Sequence, residues 1–268
     1  MLISKEVKLQ KKFIKDVLSN YKKYGRHNLV WRKNITPYRI LVSEVMLQQT
    51  QVSRVVPKFI EWMKKFPTLT SLKKASFQEA LILWQGLGYQ RRVKNLLIVA
   101  TTVTRLPKTY DELCLLPGIG PYTASAICAF AHNTFEHPLL ETNIRTALIE
   151  YFHQGENKIC DEVLYKDLYH IIQDPKIKKI GARDFYYALM DYGAYLKSKK
   201  ISHNKKSAHY VPQSSYKGSF RELRAKVLFA IAQEKALPTD ERLEDSLSVL
   251  IKEGYLIKNN QDKYLLNG

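Results

Sequence analysis

Apolar positions recur at helical spacing along most of the chain, and strand-type alternation is almost absent before the C-terminus. Val7, Phe13, Ile14, Val17, Leu18 and Tyr21 form one such stripe, and Gly25 closes it. Pro37 opens a segment to Leu47 in which Ile40, Leu41, Val42, Val45 and Met46 cover much of a helix's circumference. That pattern predicts a helix buried on most sides. Further helices are predicted over 51–65, 76–84, 90–104 and 109–115, and from Tyr122 to His132 after a tight Pro117-Gly118-Ile119-Gly120 turn. Helices at 142–152, 161–172 and 183–196 follow. The stretch 197–217 is basic, serine-rich and poor in aliphatics, as linkers are. Beyond it come two helices, 219–235 and 240–253, and a short hairpin of Tyr255–Ile257 and Lys263–Leu266 around a polar turn. Helices followed by a two-stranded wing suggest a winged-helix-like module over 219–268. A small interaction module without nucleic-acid contact fits the same pattern.

Composition narrows the class. The 268 residues are 45% hydrophobic, enough for a packed core, which excludes disorder and disulfide scaffolds. Lys and Arg number 43 against 25 Asp and Glu, a formal charge of +18 that calls for an acidic partner. No apolar run approaches the roughly 18 residues of a spanning helix. The N-terminus MLISKEVKLQKKF lacks the apolar core and cleavage site of a secretory signal. Cys114, Cys128 and Cys160 are odd in number, widely spaced and without a CxxC pair, so neither a disulfide framework nor a zinc site is predicted. The expectation is a soluble cytoplasmic protein, nucleoid-associated in a bacterium, with no membrane contact.

Two pieces carry chemistry. In Leu113-Cys-Leu-Leu-Pro117-Gly118-Ile119-Gly120-Pro121-Tyr122-Thr123-Ala124, short helices joined by Pro-Gly-x-Gly form a hairpin whose glycines permit close backbone approach. The second helix directs bare N–H groups at the turn, where phosphate is a natural occupant, and such donors position DNA without reading its sequence. An ordinary helical corner is the bland alternative. Upstream, Leu41-Val-Ser-Glu44-Val-Met-Leu-Gln48-Gln49-Thr50-Gln51 places Glu44 inside an otherwise apolar helix. A buried carboxyl group is costly unless paired or raised in pKa, and a raised pKa suits a general acid. A buried structural ion pair is the other reading. Gln48 lies one turn on, on the same face.

The segments LVSEVMLQQTQV, LWQGLGY, LPGIGPYTASAI and ALMDYGA, in this order, resemble the helix-hairpin-helix DNA glycosylases of the endonuclease III superfamily, and most of all the MutY-type adenine DNA glycosylases. The resemblance covers roughly residues 8–205. It implies an all-α bilobed fold, with a six-helix barrel at 31–134, a second helical lobe from 1–30 and 135–205, a basic linker at 206–218 and the module at 219–268. It implies a base flipped out of the duplex and hydrolysed from its sugar, with Glu44 protonating the departing base. Tyr122 stands where lyase-competent relatives place a Schiff-base lysine, which implies a monofunctional enzyme. Gln48, Gln49 and Gln90 would enter the duplex, Trp31, Arg32 and Tyr187 would line the base pocket, and Asn143 would hold the acidic residue two positions earlier. Trp31 as a core aromatic and Arg32 as a surface charge or phosphate contact stay open. Gly118, Ile119, Gly120, Tyr122 and Thr123 would clamp phosphate, with a monovalent cation a further implied ligand. An oxocarbenium-like sugar stabilised by a carboxylate, with a second group assisting the base, is sound chemistry.

The chain also departs from the family pattern. Glu141, in Leu139-Leu140-Glu141-Thr142-Asn143, replaces the catalytic aspartate and reaches one methylene farther. Tyr187 replaces the Glu or Gln that faces the base, and a single phenol cannot make an amide's bidentate contact with adenine. Gln90 replaces a second aromatic after GLGY. The cluster-ligand positions carry Lys197, Asn204, Ser207 and Gln213, none a thiolate, so no iron–sulfur cluster is expected. Lys199 and Lys200 supply charge that either replaces the cluster loop's phosphate contacts or belongs to a solvated linker. The sum is a monomeric, cluster-free glycosylase acting on double-stranded DNA, removing adenine opposite 8-oxoguanine or guanine. A mismatch thymine or uracil glycosylase and a non-catalytic mismatch- or lesion-binding protein are the rivals.

Overall fold

Apolar stripes, with side-chain caps at several N-termini, mark the helices of the computed structural model, which describes residues 5–208, 210, 212 and 214–267, with the side chain of Asn204 excepted. The helices are α1 (Lys5–Tyr24), α2 (Pro37–Leu47), α3 (Val52–Lys65), α4 (Leu69–Lys73), α5 (Phe77–Trp84), α6 (Arg91–Thr102) and α7 (Tyr110–Cys114). They continue as α8 (Pro121–Ile127), α9 (Thr142–Phe152), α10 (Asp161–Ile172), α11 (Pro175–Ile180), α12 (Ala182–Ser198), α13 (Phe220–Ala232) and α14 (Leu243–Lys252). Strands β1 (Leu256–Lys258) and β2 (Tyr264–Leu266) form one antiparallel hairpin in which Ile257 faces Leu265. The fold is all-α, as the periodicity predicts.

Two short helices escape the apolar pattern because one turn of chain is too little to show a period. A capping box of Thr68 and Ser71 starts α4, and the Asp174 carboxylate with Pro175 at the first helical position starts α11. The helix predicted to reach His132 is α-helical only to Ile127. It widens into a π turn over Cys128–His132 and ends at Asn133 in the left-handed region, φ 59°.

The described chain divides into two compact units. The first holds residues up to Leu41, Pro107–Leu115 and Ile119–Pro212. Its core is α12 packed on α1 and α9. Phe13 meets the rings of Tyr151 and Phe152 edge-on at 4.9 and 5.1 Å. The segment after α12 is tied to this unit over residues 203–208: His203 pairs with Glu150 at 2.5 Å, Lys206 Nζ donates to the Gln154 carbonyl at 2.6 Å, and Ile159 and Ser207 form a bridge. Buried backbone needs partners, and this bridge supplies them to part of a stretch that composition marks as linker.

The second unit holds Val42–Leu106, Leu116–Gly118 and Gln213–Gly268. Trp62 and Trp84 meet edge-on at 5.5 Å in its core, beside fully buried Phe59, Leu72 and Leu81. The C-terminal helices pack into this unit. Gln78 Nε2 on α5 donates to the Ala232 carbonyl at 2.8 Å, Lys94 Nζ donates to the Gly254 carbonyl, and the rings of Phe77 and Tyr255 stand 6.2 Å apart.

Candidate active site

Glu141 is the N-cap of α9, in extended backbone (φ −137°, ψ 177°). Its carboxylate accepts from the Asn143 amide at 2.8 Å and the Ile144 amide at 2.9 Å, and from Asn143 Nδ2 at 3.0 Å. Caps are usually Ser, Thr, Asp or Asn, whose short side chains fold back on the first turn. The extra methylene of Glu141 is accommodated without losing either backbone contact, and the carboxylate is fixed at the positive end of the α9 dipole. Burial is the largest influence on this group and raises its pKa. The two amides, the charge of Lys197 and the Asn143 side chain offset only part, so the net displacement is upward. Lys197, on α12, is the reciprocal case: desolvation lowers its pKa and the Glu141 charge opposes the fall.

Gly193 sets the distance between α12 and this cap. A Cβ added there would lie 2.0 Å from the Asn143 carbonyl oxygen and 2.7 Å from the Asn143 Cβ. Only a residue without a side chain lets α12 press on the first turn of α9 this closely.

Arg32 and Tyr187 occupy the same unit, and their side chains meet each other. The Arg32 guanidinium grips Asp191 in two parallel hydrogen bonds of 2.7 and 2.9 Å and lies 4.0 Å from the centre of the Tyr187 ring. The other face of Tyr187 stacks on Phe130 at 4.5 Å, with 11° between the planes. Arg26 adds its amide and Nε to Asp191 at 2.8 and 2.5 Å. Burial alone would raise the Asp191 pKa, but Arg32 and Arg26 outweigh it and hold the carboxyl below its usual range. Trp31 is buried beside them in sequence, within a single 3-10 turn, Val30–Arg32.

Glu44 belongs to the second unit, on the stretch of α2 from Ile40 to Met46 in which every residue is buried, Glu44 at 3% exposure. The prediction of a helix covered on most sides holds. Gln49 sits just beyond α2 in the left-handed region, φ 54°, and its side-chain oxygen accepts from the Tyr89 hydroxyl at 2.6 Å. Gln48 offers its carbonyl to Arg92 at 2.8 Å. Gln90 is the N-cap of α6 and makes no side-chain cap bond.

Sequence reasoning missed Arg92. It is 8% exposed, and its two terminal nitrogens reach Val45 O, Met46 O and Gln48 O on one side and Leu87 O, Gly88 O and Thr50 Oγ1 on the other. One guanidinium therefore joins the C-terminal carbonyls of α2 to the Gly86–Tyr89 loop. Desolvation brings its pKa down to about 10. The available signal was its position one turn before Leu96, on the apolar face of α6.

In the hairpin, Gly118 has φ 77° and packs on Asn95, whose Nδ2 would lie 2.4 Å from an added Cβ. Gly120 caps α8 with no side chain, Pro121 takes the first helical position, and Thr123 is buried behind it. Ile119 is buried, and Tyr122 is partly exposed. Lys199 and Lys200 lie exposed just past α12, Lys200 with φ 64°. Of the cluster-ligand positions, Lys197 is a desolvated ammonium beside Glu141 and Ser207 is in the bridge to Ile159, while Gln213 lies outside the described residues. An ammonium and a bridged serine do not fit iron–sulfur ligation, and among the described residues no group of three His, Cys, Asp or Glu could hold a metal ion.

A carboxylate that caps a helix, a glycine hairpin and an all-helical scaffold together define a helix-hairpin-helix protein. The chain belongs to the HhH-GPD superfamily of base excision DNA repair proteins, whose family profile matches residues 42–205. It is 35% identical over 190 residues to the adenine DNA glycosylase of Buchnera aphidicola subsp. Baizongia pistaciae, an alignment covering 69% of this chain and 52% of that protein. The chain thus spans about half the length of the curated relatives it matches. Among solved structures, a thermostable thymine-DNA glycosylase superposes with TM-score 0.61 at 21% identity, covering 77% of this chain and 99% of that one. An endonuclease III–DNA complex gives TM-score 0.57 at 17% identity, covering 73% and 87%. These two likenesses show the shared fold.

Proposed function

We propose that the chain is a monofunctional DNA glycosylase that hydrolyses the N-glycosidic bond of a flipped, mispaired base, with adenine opposite 8-oxoguanine or guanine as substrate. The observation that carries this reading is the Glu141 carboxylate, held by three hydrogen bonds at the start of α9. The similarity to adenine DNA glycosylases supports the choice of base. As the bond between C1′ and the base nitrogen breaks, its electron pair leaves with the base and positive charge develops on the sugar. Glu141 offsets that charge, and Glu44 delivers a proton to the departing base. Water then adds its oxygen to C1′, and its proton is released. Tyr122 has no amine with which to form a Schiff base, so the reaction ends at the abasic site. Trp31 and the Arg32–Tyr187 stack wall the base pocket, while Gln48, Gln49 and Gln90 occupy the gap left in the duplex. The hairpin from Gly118 to Thr123, with Lys199 and Lys200, holds phosphates. We further read the enzyme as cluster-free, the packing of 203–208 on Glu150, Gln154 and Ile159 fixing the segment that a cluster would otherwise organise.

The test is single-turnover base release from end-labelled duplexes containing 8-oxoguanine:A, G:A, G:T or G:U, with a matched duplex as control and with and without alkali. Alkali-dependent cleavage of the adenine strand is expected, lost in Glu141→Gln. Cleavage confined to G:T or G:U would replace adenine by a pyrimidine. Silence throughout with DNA still bound would make the chain a mismatch-binding protein.

A further inference from the structure

We propose that Lys197, on α12, is a positioning residue for the reaction, supplying the counter-charge of the Glu141 carboxylate. The inference rests on the reading of Glu141 as the group that meets the developing sugar charge. The contact of Gly193 with Asn143 brings α12 against the first turn of α9, and Lys197 lies one helical turn farther along the same face. Side chains on a helix lean toward its N-terminus, so the stem of Lys197 leans back toward that contact. The half-buried ammonium is thereby brought within electrostatic reach of Glu141.

The neighbouring cations are already engaged elsewhere. Arg145, one turn on from Glu141 along α9, is held by the Asp161 carboxylate of α10 at 2.8 and 2.6 Å, with Tyr165 beside that pair. Arg26, which follows α1 and faces Lys197, binds Asp191 of α12 at 2.5 Å. His203 and Lys206 are taken up by Glu150 and Gln154 toward the far end of α9. Among the described residues, by contrast, the Lys197 ammonium has no hydrogen bond and no carboxylate at ion-pair distance. Desolvating an ammonium without such a partner is unfavourable, and the effect of its charge falls on Glu141, whose anion burial disfavours. A neutral carboxyl group cannot offset the positive charge on the sugar, so Lys197 acts on the reaction through Glu141. A cation in a last helical turn also meets the helix dipole, but that purely structural role would leave the ionisation of Glu141 unmoved.

The test compares Lys197→Met and Lys197→Gln, which remove the charge at similar length, with Lys197→Arg, which keeps it. Single-turnover release of adenine from an 8-oxoguanine:A duplex is followed across the acid and neutral range with the full chain, and thermal melting confirms that each variant is folded. In both neutral variants the acid limb should move to higher pH, slowing release on that limb about tenfold, with the loss recovered as pH rises. Lys197→Arg should restore the native limb. Urea unfolding reads the same ionisation without turnover. The fall in stability with rising pH that separates the native chain from Glu141→Gln should extend to higher pH in a Lys197→Met background. That extension in a chain that releases no base would support the counter-charge and refute the glycosylase reading alone. Neutral variants in which neither the limb nor the stability difference moves, or a loss of rate equal at every pH, would overturn the role of Lys197.

Discussion

Gly193→Ala separates helix propensity from packing at the candidate active site. In the middle of an ordinary helix, replacing glycine by alanine stabilises by about 1 kcal/mol. At Gly193 the new methyl would sit 2.0 Å from the Asn143 carbonyl oxygen, 2.5 Å from its carbonyl carbon and 2.7 Å from its Cβ. Two of those atoms are backbone and cannot rotate aside, so α12 and the first turn of α9 must part by about 1 Å to reach the 3.0 Å floor of real contacts. Overpacking of this kind costs about 1–3 kcal/mol, and a clash with backbone belongs at the upper end. Against the propensity gain, the net loss should be about 2 kcal/mol in urea unfolding, with an unchanged m-value. The same displacement moves the cap that carries Glu141, and a shift of about 1 Å at a catalytic group can lower a rate about 100-fold. Single-turnover base release should therefore fall far more than DNA affinity. A variant as stable as the native protein, releasing base at the native rate, would refute the claim that Gly193 positions Glu141.

Asp191→Asn should destabilise by about 3 kcal/mol, because it strands the buried Arg32 charge. Because the Asp191 pKa is depressed below 3.8, its contribution is present above that pH and is lost as pH falls through the folded value, so native and variant stabilities should converge there. Arg92→Lys should cost about 3 kcal/mol despite keeping the charge, since an ammonium cannot span six acceptors; hydrogen exchange should show the Gly86–Tyr89 loop opening, and undisturbed protection would refute the link. The raised pKa of Glu141 places its titration above 4.5, so base release should rise with pH through a limb above that value, and a limb at or below 4.5 would remove Glu141 as the ionised group. The same displacement means that native stability falls as pH rises from 4.5 through the folded pKa, a dependence Glu141→Gln should lack.

The sequence by itself determined the helical class, most helix positions and the hairpin turn, and it singled out Glu44 and Glu141 as the candidate carboxylates. Each is a matter of local period, local turn chemistry or a contiguous motif, and such signals survive without knowledge of neighbours. It also set what the chain lacks at the positions of cluster thiols, because ligand chemistry is a property of residue type. Tertiary structure alone decided the rest. Nothing in the chain's order announces that Arg92 would join carbonyls more than 40 residues upstream to the loop just before it. Nor does it announce that Tyr187 would be clamped between Phe130 and Arg32, or that Gly193 would admit Asn143. The C-terminal helices carry the period and turn signals of a small module, and only the tertiary structure shows α13 packing on α5 as well as on α14, with Arg221 reaching Tyr89. An amphipathic stripe states that a face will be buried and leaves open against what; long-range packing supplies the partner, and with it the geometry on which the chemistry depends.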